Sequence, residues 1–215
     1  KKLIDREMTI AGGTLECCIK AFDNGISLNV AGGTHHAFSN RGEAFCLLND
    51  QAIAAQYLIN EYKLKKILII DLDVHQGNGT AEIFRKNKKV FTFSMHGEKN
   101  YPFQKIKSDL DVELLDGTED EQYLDILNKK LNMIFDKIKP EFIFYLAGVD
   151  ILKTDKLGRL SMTLEGCKLR DEIILNKCFE SKIPVQCSMG GGYSEELKII
   201  LEAHSNTFRI ASKIF

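Results

Sequence analysis

The stretch that most constrains this chain is Ile67-Leu68-Ile69-Ile70, followed at once by Asp71-Leu72-Asp73-Val74-His75. A short aliphatic run without polar alternation reads as a strand buried on both faces, which is the mark of a parallel sheet. Side chains alternate along a strand, so continued extension puts Asp71, Asp73 and His75 on one side. Two carboxylates and an imidazole converging at a buried strand end are unfavourable unless something compensates them. A divalent cation does so most simply, because carboxylate oxygen and imidazole nitrogen both ligate zinc. Taken alone, the motif fits solvated acids beside a surface histidine equally well. The remaining sequence decides.

Strands and helices alternate along the rest of the chain. Gly12-Gly13 followed by Thr14 predicts a turn and an N-cap leading a helix to about Phe22. Ile26–Val30 alternates as a strand does, and a glycine-bearing polar loop over residues 32–43 carries His35 and His36. A helix is expected from about Phe45 to Glu61, then the strand ending at Asp71 and a short helix through Phe84. Strands follow at Val90–Met95 and Asp111–Leu115. Thr118 and Glu121 read as a capping box for a helix that Pro140 ends. Strand Glu141–Ala147 delivers Asp150; helix Glu165–Phe179, strand Val185–Met189 and helix Ser194–Ala203 complete the series. The pattern predicts a three-layer α/β/α fold with a mostly parallel central sheet. Sites in such folds lie outside the carboxyl ends of the strands, where His35, His36, Asp71 to His75, Asp150 and Tyr193 all fall.

Composition narrows the function classes. The chain has 215 residues, a size that suits one domain, and its net charge of −1 leaves no basic field for nucleic acid. The basic run Arg85–Lys89 is short enough for a solvated loop. No stretch approaches the roughly 18 apolar residues of a membrane span. Cysteines at 17, 18, 46, 167, 178 and 187 form no C-x-x-C pair, which predicts reduced thiols and a cytoplasmic setting.

Several stretches, in this order, resemble the histone deacetylase superfamily with its arginase–deacetylase fold, most closely the class IV branch and its bacterial relatives. They are Gly33–His36, Arg41–Cys46, Asp71–Thr80, Gly117–Asp120, Ala147–Leu152 and Gly190–Tyr193. The resemblance implies a single deacetylase-like catalytic domain over residues 1–215, with a family N-terminal segment (a first strand and a substrate-lip loop) missing upstream.

By position, the resemblance makes Asp73, His75 and Asp150 the ligands of one catalytic Zn2+. His35 and His36 become the proton-handling histidines, partnered by Asp71 and Asn78. Many relatives have aspartate where Asn78 stands, so a neutral partner predicts a less basic His36, and His36 is expected to be the general base and acid. Tyr193 becomes the oxyanion donor, its preceding glycines allowing an otherwise closed backbone. Phe45, Tyr101 and Leu157 become the acyl-lysine channel, and Ser94 a ligand of a structural K+ beside the zinc. His96 receives no role, and His204 is expected at the surface.

The implied activity is zinc-dependent removal of acyl groups from lysine side chains in a protein or peptide. Rival readings are deacylation of a small acylated amine such as a polyamine, and a non-catalytic module that binds acyl-lysine. An arginase-type binuclear site would need more bridging acids than the sequence offers.

Overall fold

A computed structural model describes residues 1–215. Its centre is a six-stranded sheet in which every neighbouring pair is parallel. The strands are β1 (Ile26–Asn29), β2 (Ile67–Asp71), β3 (Val90–Gly97), β4 (Leu110–Leu114), β5 (Phe142–Leu146) and β6 (Val185–Ser188). Their order across the sheet is β1-β6-β5-β2-β3-β4. From β2 the chain winds outward through β3 to β4, then returns to lay β5 against the other side of β2. The two central strands thus flank the point where the winding reverses, where such sheets open a crevice at their carboxyl ends.

The aliphatic runs divide by the two-residue period of a strand. Ile67, Ile69, Phe142 and Phe144 pack with Cys18 and Ala21 of α1 (Lys2–Asn24), Ala55 and Leu58 of α2 (Asp50–Glu61), and Phe84 of α3 (Asn78–Phe84). Leu68, Ile70, Ile143 and Tyr145 face the other layer, formed by α4 (Asp120–Ile138), α5 (Leu164–Glu180) and α6 (Leu197–Ile214). Both faces of the central strands are therefore buried, as the sequence predicted.

Local signals misplaced several helix ends. Gly12 and Gly13 lie inside α1 rather than before it. A Cβ on Gly13 would stand 3.2 Å from Asn29 Nδ2, so the glycine lets helix and β1 approach closely. The Thr14 hydroxyl, expected to cap, instead donates to Asp50 at 2.7 Å. The helix expected from Phe45 begins at Asp50, capped by the Asn49 side chain, and Phe45 lies in the loop before it. The Thr118–Glu121 capping box does not form. Thr118 Oγ1 donates to the Leu115 carbonyl, and Asp120 instead accepts from Thr163, the N-cap of α5. The last helix begins at Leu197 rather than Ser194 and continues to Ile214.

His204, on α6, is buried rather than at the surface. Burial, and then the Arg170 charge, pushes its imidazole down to about 4. The fold therefore holds a neutral ring that the unfolded chain protonates more readily. Its contribution to stability is whole above the ordinary 6.5 and is lost as pH falls toward about 4. His204→Leu is expected to flatten the acid limb of the stability curve in that window by about 1–3 kcal/mol. Urea midpoints measured against pH check this, and an unaltered slope would assign the acid sensitivity to other groups.

Candidate active site

The β2 strand ends at Asp71, and the following residues bend instead of continuing in extension. Asp71 Oδ1 accepts from the Asp73 amide at 3.2 Å, and Asp73 Oδ1 from the His75 amide at 3.0 Å. These side-chain-to-backbone bonds curl the segment and separate its acids. Asp71 turns to His35, its Oδ2 lying 2.7 Å from Nδ1, while Asp73 and His75 join Asp150 from the end of β5.

Asp73, His75 and Asp150 each offer a ligand atom, all within 4.8 Å of one another. His75 Nδ1 lies 3.0 Å from Asp73 Oδ1 and 3.2 Å from Asp150 Oδ2. The other carboxylate oxygens are held by main-chain amides: Asp73 Oδ2 by Gly191 and Asp150 Oδ1 by Val74, both at 2.9 Å. Burial disfavours the Asp73 charge, but His35 and His75 outweigh it and hold that carboxyl well below the usual range. Burial raises Asp150, and Asp73 beside it raises it further. Two buried acids facing one imidazole leave excess negative charge, and their donor set suits a divalent cation. The Gly190-Gly191-Gly192 segment closes over them. Only Gly190 has a positive φ, +73°; a Cβ on Gly191 would run into the Asp150 and Asp73 carboxylates. Space, more than backbone freedom, explains these glycines.

His35 and His36 sit side by side, ring centroids 4.1 Å apart, on the loop after β1. That loop is pinned by Asp50 at the start of α2, whose carboxylate accepts from the Gly33 and Thr34 amides and from the hydroxyls of Thr14, Thr34 and Ser188. Burial opposes a charge on His35, but Asp71 and Asp73 prevail and raise it to about 9. His36 Nδ1 meets Asn78 Oδ1 at 2.7 Å. Burial, with the His35 charge next, pushes His36 down to about 3. The low basicity expected from asparagine is present, but its main cause is desolvation. The Asn78 bond acts in the opposite direction.

His35, His36, Asp73, His75 and Asp150 line a cavity of about 520 Å3 whose walls include Phe45, Tyr101, Leu157 and Tyr193. The Tyr101 and His36 rings stand nearly perpendicular with centroids 5.0 Å apart, and Phe45, 76% exposed, leans toward Tyr193 at 5.9 Å. The two wall aromatics therefore partner different site residues. Asp155 joins the rim to Tyr193, accepting from the Tyr193, Leu157 and Gly158 amides. Burial raises the Tyr193 phenol, so it stays a donor at neutral pH. Ser94, in register beside Asp71, hydrogen-bonds His96 Nδ1 at 2.9 Å deep in the sheet.

Sequence reasoning missed Arg170, which is wholly buried on α5. It pairs with Asp171 and donates to the carbonyls of Leu72, Ala147 and Gly148, tying together the two strand ends that carry the acids. A usable signal existed. Cys167, Arg170, Asp171, Ile174 and Cys178 follow helical spacing, so a charged pair interrupts a stripe that is otherwise apolar.

An all-parallel sheet delivering this acid–histidine cluster from its two central strands is the arginase–deacetylase architecture. A solved histone deacetylase homologue from Aquifex aeolicus superposes with a TM-score of 0.80 at 26% identity, over 94% of this chain and 56% of that one. The histone deacetylase domain profile matches residues 1–208. An uncharacterised protein of Picosynechococcus is 44% identical over 99% of this chain and 71% of its own length. Histone deacetylase 2 of Arabidopsis thaliana is 32% identical over 92% and 52%, so the chain spans about half of that relative. The chain belongs to the histone deacetylase family. No helix in it is long and apolar enough to cross a membrane.

Gly191→Ala is expected to weaken divalent-cation binding about 10–100-fold, because the loop must lift off both carboxylates. Competition with a chromophoric chelator, using zinc as the probe, measures this; unchanged affinity would mean that the loop yields freely.

Proposed function

We propose that this chain is the catalytic part of a zinc-dependent amidohydrolase that removes acetyl or longer acyl groups from lysine side chains. The observation that carries the reading is the convergence of the Asp73–His75–Asp150 donors with two buried histidines and Tyr193 at one cavity. Family membership supports it. Asp73, His75 and Asp150 would hold one zinc ion, which supplies Lewis acidity toward an amide carbonyl and acidifies water there.

The chain's own groups divide the remaining work. Phe45, Tyr101 and Leu157 form the slot for the methylene chain of the acylated amine. His36, neutral at working pH, accepts the proton of the attacking water on Nε2 and returns it to the leaving amine. His35, kept cationic by Asp71, stabilises negative charge nearby, and the Tyr193 hydroxyl donates to the developing oxyanion. Ser94, with main-chain oxygens of Asp71, Asp73 and His75, is assigned to a structural K+. The six cysteines are unpaired, which supports a reducing, cytoplasmic setting.

Acetyl-lysine and longer acyl-lysine peptides, together with acylpolyamines, are the test substrates, assayed with and without chelator. Acyl-lysine turnover that chelation abolishes and zinc restores is expected. Preference for polyamines would move the substrate to small amines, and binding without turnover in zinc-loaded protein would make this a recognition module. Tyr193→Phe is expected to retain zinc while kcat falls about 100–1000-fold. Normal turnover in that variant would remove Tyr193 from the chemistry.

A further inference from the structure

We propose that Glu43 is a positioning residue: it fixes the side-chain amide of Asn78, through it the tautomer of His36, and also anchors the Tyr101 wall of the channel. Its catalytic meaning rests on the deacylase reading; the tautomer assignment does not.

Which end of the Asn78 amide faces His36 decides the imidazole's tautomer. An oxygen there can only accept, so His36 must carry its proton on Nδ1 and leave a lone pair on Nε2. A nitrogen there would demand the opposite tautomer and remove the base. Two neighbours settle the orientation. The Gly79 main-chain amide, which can only donate, lies 3.1 Å from Oδ1. The Glu43 carboxylate, which as an anion only accepts, receives Nδ2 at 2.8 Å on Oε1. The Gly79 bond is local to Asn78, whereas Glu43 reaches it from a separate loop.

The same Glu43 Oε1 accepts the Tyr101 hydroxyl at 2.6 Å, and Oε2 accepts Arg41 Nη2 at 2.9 Å. Both oxygens are thus committed on a side chain only 24% exposed. The Tyr101 bond is the main reason that the Glu43 carboxyl is held below its ordinary range, which keeps it an acceptor. Its placement is equally constrained. Glu43 and Cys46 exchange two main-chain hydrogen bonds of 2.9 Å, closing a tight loop in which Ala44 takes a φ of +51°. Phe45 projects from that loop toward Tyr193. One carboxylate therefore joins the loop bearing the first wall aromatic, the hydroxyl of the second and the partner of the histidine. An aspartate at position 78 would present only acceptors to His36 and need no such orientation. The asparagine creates the requirement, and Glu43 meets it together with the Gly79 amide.

The test is 15N NMR of the imidazoles in the full chain, alongside steady-state deacylation of an acetyl-lysine peptide. In the unmodified protein His36 is expected as the Nδ1–H tautomer. Glu43→Ala is expected to give mixed tautomers and to lower kcat about 10–100-fold, with KM changed less than about threefold. Glu43→Gln still offers one oxygen to both Asn78 and Tyr101, so it should recover most of the loss. Tyr101→Phe should raise KM and leave the His36 tautomer unaltered. Glu43→Met, which keeps the aliphatic stem, repeats the measurement should alanine loosen the loop. An unchanged tautomer and kcat in both Glu43→Ala and Glu43→Met would overturn the proposal, as would a Glu43→Gln variant no better than alanine. If the unmodified protein turns over no acylated amine yet its tautomer responds to Glu43→Ala, the deacylase reading fails and the positioning role stands.

Discussion

The constraint on which this structure depends is the burial of three carboxylates, Asp71, Asp73 and Asp150, at the ends of two neighbouring strands. An unpaired ionised carboxylate in such a place is unfavourable by several kcal/mol, so each must find compensation from its surroundings. Asp71 finds it in His35; Asp73 and Asp150 find it in His75, in main-chain amides and in room for a cation. Much of the local architecture answers this demand. The bend after β2 separates Asp71 from Asp73, and the glycine segment brings an amide to an acid that a Cβ would displace. Arg170 reaches the same strand ends from behind, where its fully buried charge is balanced by Asp171 and by carbonyl oxygens. The tyrosine and threonine that also bond Asp171 complete this second, inner layer.

The two histidines occupy unlike electrostatic environments although they are adjacent in sequence and almost in ring contact. His35 has a carboxylate partner and is raised to about 9; His36 has an amide partner, feels the charge of His35 and is pushed down to about 3. A pair whose proton affinities are driven apart can divide its labour between holding charge and exchanging a proton. The division depends on an orientation, that of the Asn78 amide, which a neutral partner does not fix by itself. The loop at Glu43 therefore bears on the histidine pair as well as on the cavity wall.

Where the sequence was read correctly, the signal was local and periodic. The aliphatic runs at Ile67–Ile70 and Phe142–Leu146 read as central strands, because they carry apolar residues on both faces and are too short for a buried helix. That His35, His36, Asp73, His75, Asp150 and Tyr193 come together at one cavity was legible because each follows a strand, and a parallel sheet gathers those ends at one edge. Where the reading failed, a tertiary contact competed with the local rule. Gly12-Gly13-Thr14 has the grammar of a helix start, yet close packing on β1 and a bond to Asp50 use those residues inside α1. Thr118 and Glu121 have capping-box spacing, but the hydroxyl turned to Leu115 and Asp120 was recruited by α5. His204 was expected at the surface, but α6 continues to Ile214 and packs it inward.

The sequence by itself determined the layered α/β architecture, the family and the identity of the residues that meet at the site, since strand patterning and motif order are written along the chain. The resemblance also supplied two pairs, His35 with Asp71 and His36 with Asn78; the tertiary structure decided the contacts beyond them. The hydrogen bond from Asn78 to Glu43 spans 35 residues, and Arg170 reaches Leu72 across 98. Such partnerships depend on which polar atoms burial leaves within reach. Local propensity carries no information about that, and so the contacts of Glu43 and Arg170, and desolvation as the main cause of the low basicity of His36, became visible only in three dimensions.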